Sequence, residues 1–136
     1  MPKSISLLRC ITLLLSSVLL SACAGIKDRV QLLDNAQRTY ESAVRWGHYD
    51  IVYALHPNAD GSTPAIPDKL DNYRVTSYTV LSNTLAADEA SADQSIEIKY
   101  YHVDYLKEKT ISQRQHWVFS TQRHVWFVTS PPPHFE

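Results

Sequence analysis

The hydrophobic period of the chain changes once, at about residue 70, and that change limits the folds open to it. Between residues 26 and 46 apolar residues recur every three or four positions, whereas beyond residue 73 they alternate with polar ones. The first spacing places apolar side chains on one face of a helix, and the second places them on one face of a strand. Helices followed by consecutive strands predict an α+β domain.

Two helices and one further helical turn are predicted ahead of the strands. The apolar stripe from Ile26 to Trp46 predicts an amphipathic helix of about five turns, which ends at Gly47 because glycine tolerates a positive φ. A short helix is expected from Asp50, a favourable N-cap, to Leu55. The proline-rich segment 56–72 predicts a loop, with a single helical turn that begins at Pro67.

Four later segments are rich in β-branched and aromatic residues and alternate with period two, as strands do. They are residues 73–85, 95–105, 110–120 and 124–130. The polar stretch between the first two is expected to form a turn. The expected fold is therefore an N-terminal amphipathic helix plus a short helix, packed on a curved four-stranded antiparallel sheet.

Strand pairing is predicted by requiring that the apolar side chains share one face of the sheet. This places Trp117 opposite both Ile96 and Trp126, and it places Leu81 opposite Ile98. A slip of one residue would turn every side chain to the other face. The same register sets Lys99 against Arg114, a like-charge pair that a bulge would relieve. The expected helix-facing side consists of Val75, Leu81, Leu85, Ile96, Ile98, Ile111, Trp117, Phe119, Trp126 and Val128.

The first 22 residues have the pattern of a secretory signal peptide: basic residues, a short apolar run and then small residues. The apolar run from Ile11 to Leu20 is about half the roughly 20 residues needed to span a bilayer. Its ending, Leu20-Ser21-Ala22-Cys23, resembles the lipobox of bacterial lipoproteins. That resemblance implies cleavage before Cys23 and acylation of its thiol, which would anchor the chain to a membrane. The alternative is an ordinary signal peptide that is cut after Ala22.

This interpretation divides the chain into a signal peptide (1–22), an acylated N-terminus and tether (23–29) and an α+β domain (30–136). Mature Cys23–Glu136 would have 114 residues and a single, acylated cysteine, so no disulfide within the chain is expected.

Removing Lys3 and Arg9 with the signal peptide leaves 11 basic residues against 14 acidic ones in the mature chain, a net charge near −3. No basic patch is present, and a nucleic-acid partner is therefore not expected. Ala24 and Gly25, by the sorting rule of enterobacterial lipoproteins, imply the outer membrane, facing the periplasm.

The order of elements resembles the NTF2-like (cystatin-like α+β) superfamily. The resemblance rests on a helix, a short helix, a loop and a long antiparallel meander, with "RWGHYD" between the helices and "QHWVF" and "VWFV" in the last two strands. It implies a cone-shaped sheet that wraps the N-terminal helix and leaves a pocket at its open end. Because many unrelated functions share this fold, the resemblance carries little chemistry.

Polar residues on the predicted inner face would line that open end. His102 and Asp104 are two apart, so they would share a face, where a carboxylate could orient a histidine general base. The alternative is a polar rim that extends into solvent. No catalytic role is assigned by motif. The pocket candidates are Ser77, Thr79, Tyr100, His102, Asp104 and Gln113.

The predicted outer face also carries apolar residues, although one face of an antiparallel sheet usually stays solvated. Contiguous exposed apolar area often marks an interface, and the resemblance implies that this face serves for dimerisation. The alternative is a scatter of surface aromatics. The interface candidates are Tyr78, Tyr101, Val103, Val118, Val125 and Phe127.

Several kinds of site lack a signal in the sequence. No histidine pair or cysteine pair has the spacing of metal ligands, and no glycine-rich phosphate loop occurs. The three tryptophans are expected in the core rather than on a sugar-binding platform; they are Trp46, Trp117 and Trp126.

The predicted function is binding or scaffolding at the outer membrane, through a second copy or another envelope protein, with no metal or cofactor. The alternative is a ligand-binding protein or enzyme for small hydrophobic molecules that uses the cone pocket near His102 and Asp104.

Overall fold

The structure, a computed structural model, describes residues 28–136. Helix α1 covers 28–46 and helix α2 covers Tyr49–Ala54. Gly47, with φ of +71°, separates them as expected. A 3₁₀ turn, Asp68–Asn72, follows the extended Pro67. None of the helices within residues 28–136 is both long and apolar enough to cross a membrane. The predicted signal peptide and Cys23 lie outside the described residues.

Four strands form one antiparallel sheet in the order β1-β2-β3-β4, and β1 and β4 remain its two edges. The strands are β1 (Tyr73–Leu85), β2 (Ser91–His102), β3 (Glu108–Ser120) and β4 (Val125–Val128). This arrangement of two helices and a four-stranded meander confirms the predicted α+β class. Strand β2 begins and ends earlier than predicted, so Asp104 lies in the turn after it.

The core lies between α1, α2 and one face of the sheet. Trp117, Ile96 and Ile98 are fully buried on that inner face, and Tyr40 meets them from α1. The rings of Tyr40 and Trp117 pack edge to face, with centroids 5.7 Å apart. Nine of the ten residues expected on the inner face have that orientation, and Leu81 is the exception.

The predicted registers of β2 with β3 and of β3 with β4 are wrong by even numbers of residues. Trp117 lies opposite Ala92 and Val128, instead of Ile96 and Trp126. The turn after β2 is centred two residues earlier than expected, which moves the β2–β3 pairing by four. Because side chains alternate along a strand, an even shift leaves each residue on its predicted face. Lys99 lies opposite Thr110, so the expected clash with Arg114 does not occur.

Strand β1 contains two irregularities, and between them the residues that face inward and outward are exchanged. The register shifts between Val75 and Ser77 and again between Val80 and Ser82. An extra residue inverts the inside–outside alternation until a second one restores it. Tyr78, expected outside, therefore lies opposite Ile98 and is buried, whereas Leu81, expected inside, is 59% exposed.

The molecule has two distinct ends, defined by the ends of α1. At the first end, the Asp28 carboxylate contacts Nε2 of His124, in the β3–β4 turn, at 2.8 Å. The Arg29 carbonyl accepts a hydrogen bond from the Trp126 indole at 2.9 Å. At the second end, residues 44–47 lie beside the start of β1. We call these the Asp28 end and the Gly47 end.

Candidate functional site

The C-terminal segment 131–136 closes the inner side of the sheet at the Gly47 end. The Phe135 ring is fully buried and lies 4.7 Å from the ring of Tyr100 and 5.7 Å from that of Tyr73. Lys109 Nζ donates to the Glu136 carbonyl at 2.7 Å, which fixes the end of the segment to β3. The region expected to be an open pocket is filled by the chain itself.

Two of the six pocket candidates take part in this closure. Tyr100 is buried under Phe135, and its hydroxyl accepts the backbone N–H of Glu136 at 3.4 Å. Gln113 donates its side-chain amide to the Pro131 carbonyl. Both therefore hold the C-terminal segment rather than face an open space.

Two other candidates lie on the opposite face from the one predicted. Ser77 pairs with Lys99 and Thr79 pairs with Glu97, and both partners point away from the helices. The irregularity after Val75 is the reason, because it inverts this part of β1. Ser77 and Thr79 cannot contribute to a site on the inner face.

His102 and Asp104 are close but do not have the geometry of a general-base pair. His102 Nδ1 accepts the backbone N–H of Asp104 at 3.2 Å, and the Asp104 carboxylate lies 3.7 Å from the same nitrogen. A ring nitrogen that accepts a hydrogen bond has no proton to donate to a carboxylate. The His102 ring instead packs between Tyr73 and Tyr105, at centroid distances of 5.1 and 5.0 Å.

No known family, characterised protein or solved structure matches this chain. The geometry of a functional site is therefore that of residues 28–136. Within that range no group of three metal-ligating side chains has converged. His116 contacts the Asp93 carboxylate at 3.0 Å on the outer face, and this hydrogen bond, with Arg114 nearby, lowers the pKa of Asp93.

Three of the interface candidates form a contiguous patch on the outer face, at the Asp28 end. Val118 lies opposite Phe127 on neighbouring strands, and Val125 is two residues from Phe127 on the same face. Val118 and Phe127 are half-buried, while Val125 is 47% exposed. We call these three residues the β4 patch.

The other interface candidates lie elsewhere. Tyr78 is buried in the core, which corrects its expected outer position. Tyr101 and Val103 lie at the Gly47 end, on β2 and in the turn after it. The six residues therefore do not form one surface.

Trp46 is the tryptophan whose position differs from expectation. Trp117 and Trp126 are buried as predicted, but Trp46 is 76% exposed. It lines an open groove of about 640 Å³ between the end of α1 and the start of β1. Tyr73, Tyr101 and the side chains of Arg45, Arg74 and Asp71 also line it. We call this feature the Trp46 groove.

A buried polar cluster beneath α1 was not predicted. Tyr40 and His56 share a 2.9 Å hydrogen bond, and Gln115 is fully buried beside them. Burial raises the pKa of Tyr40 well above its ordinary value. Gln115 lies opposite Gln94, which is also buried. The one sequence signal for their burial is alternation: Gln94 is two residues from Ile96, and Gln115 is two residues from Trp117, so each shares the inward face of its strand.

Proposed function

We propose that this chain is an outer-membrane lipoprotein, acylated on Cys23, whose domain binds a second copy of itself through the β4 patch. The observation that carries this proposal is that Phe135 closes the inner side of the sheet at the Gly47 end. Since Phe135 occupies the space where a small ligand would enter, binding through an outer surface is better supported than binding inside the fold.

The position of the β4 patch supports a partner anchored in the same membrane. Val125 directly follows His124, which contacts Asp28, and Cys23 precedes Asp28 by only five residues. Five residues span at most about 18 Å. The patch would therefore lie close to the bilayer, where anchoring raises the effective concentration of other anchored copies.

The finer fold assignment, an NTF2-like domain, belongs to the same proposal. Its support is the order of a helix, a short helix, a loop and an antiparallel meander. A cone pocket, which the resemblance also implies, is replaced here by the packed C-terminal segment. The enzymatic alternative near His102 and Asp104 has no supporting hydrogen-bond geometry.

The dimer is tested by placing one charge on the β4 patch of the full acylated chain. Phe127→Asp would force a carboxylate into a dry interface, where an unpaired charge is strongly unfavourable. Thr79→Asp is the matched control, because Thr79 is exposed on the same face but lies on β1. His102→Gln is a second control at the other end of the sheet.

Sedimentation equilibrium in density-matched detergent, at micromolar protein, measures the result. We expect wild type, Thr79→Asp and His102→Gln to be dimers and Phe127→Asp to be a monomer with an unchanged circular-dichroism spectrum. A monomeric wild type, or a Phe127→Asp variant that still dimerises, would contradict the proposal.

A further inference from the structure

The Trp46 groove has the properties of a recognition site. Tryptophan is highly buried on average, and it is enriched among residues that dominate binding energy. Within residues 28–136 the Trp46 indole N–H makes no hydrogen bond, unlike those of Trp117 and Trp126. The groove is open rather than enclosed, so it suits an extended chain better than a compact small molecule.

The walls of the groove are held in place by the fold. Arg45 donates to the Glu41 carboxylate at 3.0 Å and to the Tyr78 carbonyl at 3.1 Å. Arg74 donates to the Asp71 and Tyr73 carbonyls at 2.7 and 2.8 Å. A ligand would therefore meet side chains that lose little conformational entropy on binding.

The groove has more side-chain groups that only donate hydrogen bonds than groups that only accept them. The Trp46 indole and the remaining guanidinium nitrogens of the two arginines only donate, and the Asp71 carboxylate only accepts. The hydroxyls of the lining can do either, and they belong to Tyr49, Tyr73, Thr76 and Tyr101. Formal charges nearly balance, because Glu41 pairs with Arg45 and Asp71 lies near Arg74. The complementary ligand is uncharged, has apolar faces and offers more acceptors than donors.

A proline-rich peptide segment has that chemistry. Proline has a carbonyl acceptor and no N–H, and its ring packs against aromatic side chains. Proline-rich chains hold a polyproline II helix with few internal degrees of freedom to lose, and aromatic-lined grooves bind them in this form. A glycan fits less well, since each of its hydroxyls brings a donor as well as an acceptor.

The chain's own proline segment, 131–133, leads to a residue that packs beside this groove. Pro133 is buried and Phe135 lies against Tyr73, a residue that also lines the groove. We infer that the Trp46 groove binds an uncharged, proline-rich extended segment of a partner protein. This inference goes beyond the self-association proposed above, because it concerns a different partner at the end opposite the β4 patch.

Fluorescence anisotropy of labelled decaproline, titrated with the full acylated protein in detergent, tests the inference. We expect saturable binding of decaproline and none of a Gly-Ser decapeptide. Trp46→Ala should weaken binding at least tenfold, and Tyr101→Phe, which removes a single hydroxyl, should weaken it about threefold. Binding by wild type should also shift the emission of Trp46 to the blue, because its exposed indole becomes covered.

Two control variants separate this site from its surroundings. Tyr105→Ala removes an aromatic that is 78% exposed at the same end but lies outside the groove, and it should bind within twofold of wild type. Phe127→Asp should also bind within twofold, so a failure of the dimer proposal is distinguishable from a failure of this one. Absence of decaproline binding, equal losses in Trp46→Ala and Tyr105→Ala, or displacement of the peptide by equimolar chitohexaose would overturn the inference.

Discussion

The imidazole of His56 connects two parts of the chain that are distant in sequence. Its Nδ1 donates to the Ser130 carbonyl at 2.8 Å, because a carbonyl can only accept. Nε2 is then free to accept the Tyr40 hydroxyl at 2.9 Å. The side chain is buried, and this burial lowers the pKa of His56 even though the Ser130 hydrogen bond acts to raise it. His56 is therefore a neutral structural residue that tethers the segment after β4.

Stability should fall as the pH drops below the ordinary histidine pKa. In the unfolded chain His56 takes up a proton near pH ~6.5, whereas the folded chain resists it. The contribution of this group to the unfolding free energy then decreases by at most about 1.4 kcal/mol per pH unit. His56→Gln keeps a donor for Ser130 without titrating. Urea denaturation at pH 7, 6 and 5 should give a flatter pH dependence for the variant, and parallel curves would contradict the assignment.

Trp117 and Trp46 provide a matched pair of large aromatics in opposite environments. Trp117 is fully buried against Tyr40, and Trp46 is 76% exposed. Trp117→Ala should cost about 3–5 kcal/mol of unfolding free energy, a large part of a small domain's stability. Trp46→Ala should change it by about 0.5 kcal/mol or less. Chemical denaturation measures both, and an unchanged midpoint for Trp117→Ala would mean that its assigned position is wrong.

At the level of elements, the sequence predicted the type of each helix and strand better than its pairing. Strand β1 has the bounds that its composition predicted, Tyr73–Leu85. Its two irregularities were not predictable, because alternation in "VTSYTVLSN" is compatible with either face for Tyr78 and Leu81. Pairing between β2 and β3 depended on the turn at 103–107, whose position the polar residues there do not specify.

The C-terminal segment behaves as a structural element although it has no regular secondary structure. Phe135→Ala should cost about 3–5 kcal/mol, since its ring is fully buried among aromatic residues. His134→Ala is the control, because its side chain is 65% exposed and its loss should cost about 0.5 kcal/mol or less. Thermal unfolding followed by circular dichroism compares them, and similar melting temperatures would argue against a packed C-terminus.

At the level of the whole molecule, the two proposed surfaces lie at opposite ends of α1. The 18 steps from residue 28 to residue 46 correspond to about 27 Å along a helix. The β4 patch lies beside Asp28, and the Trp46 groove lies beyond residue 44. If Cys23 is held at a bilayer, one surface faces neighbouring anchored proteins and the other faces away from the membrane.

The anchor itself is tested by replacing Cys23. Each buried methylene contributes about 0.8 kcal/mol, so two or more acyl chains hold a protein stably at a membrane. Cys23→Ala should lose metabolic labelling with palmitate and accumulate unprocessed or leave the membrane fraction. The control is Cys10→Ala, which lies within the predicted signal peptide and should be labelled normally. Undiminished labelling of Cys23→Ala would refute the lipoprotein assignment.

The candidate site was less predictable than the fold, for a physical reason. The pocket prediction depended on a family resemblance and on alternation along β1. Neither of these indicates where a terminal segment will pack. Phe135 contacts Tyr100, which is distant in sequence, so no local pattern predicts the contact. The exposure of Trp46, by contrast, had a signal in the helical period, because Thr39 and Ser42, seven and four residues before it on the same helix face, are polar and exposed.

The irregular course of β1 has a consequence for how this chain behaves among many copies of itself. Residues 75–87 contain no charged side chain, and Val80 and Leu81 are exposed along this edge of the sheet. A long, straight, uncharged edge is a template for fibril growth, because incoming strands add to it without end. The two interruptions leave only short regular stretches, such as Ser77–Val80. Together with the Arg45 guanidinium, which occupies the Tyr78 carbonyl, they leave an incoming strand no long run of free backbone groups to pair with.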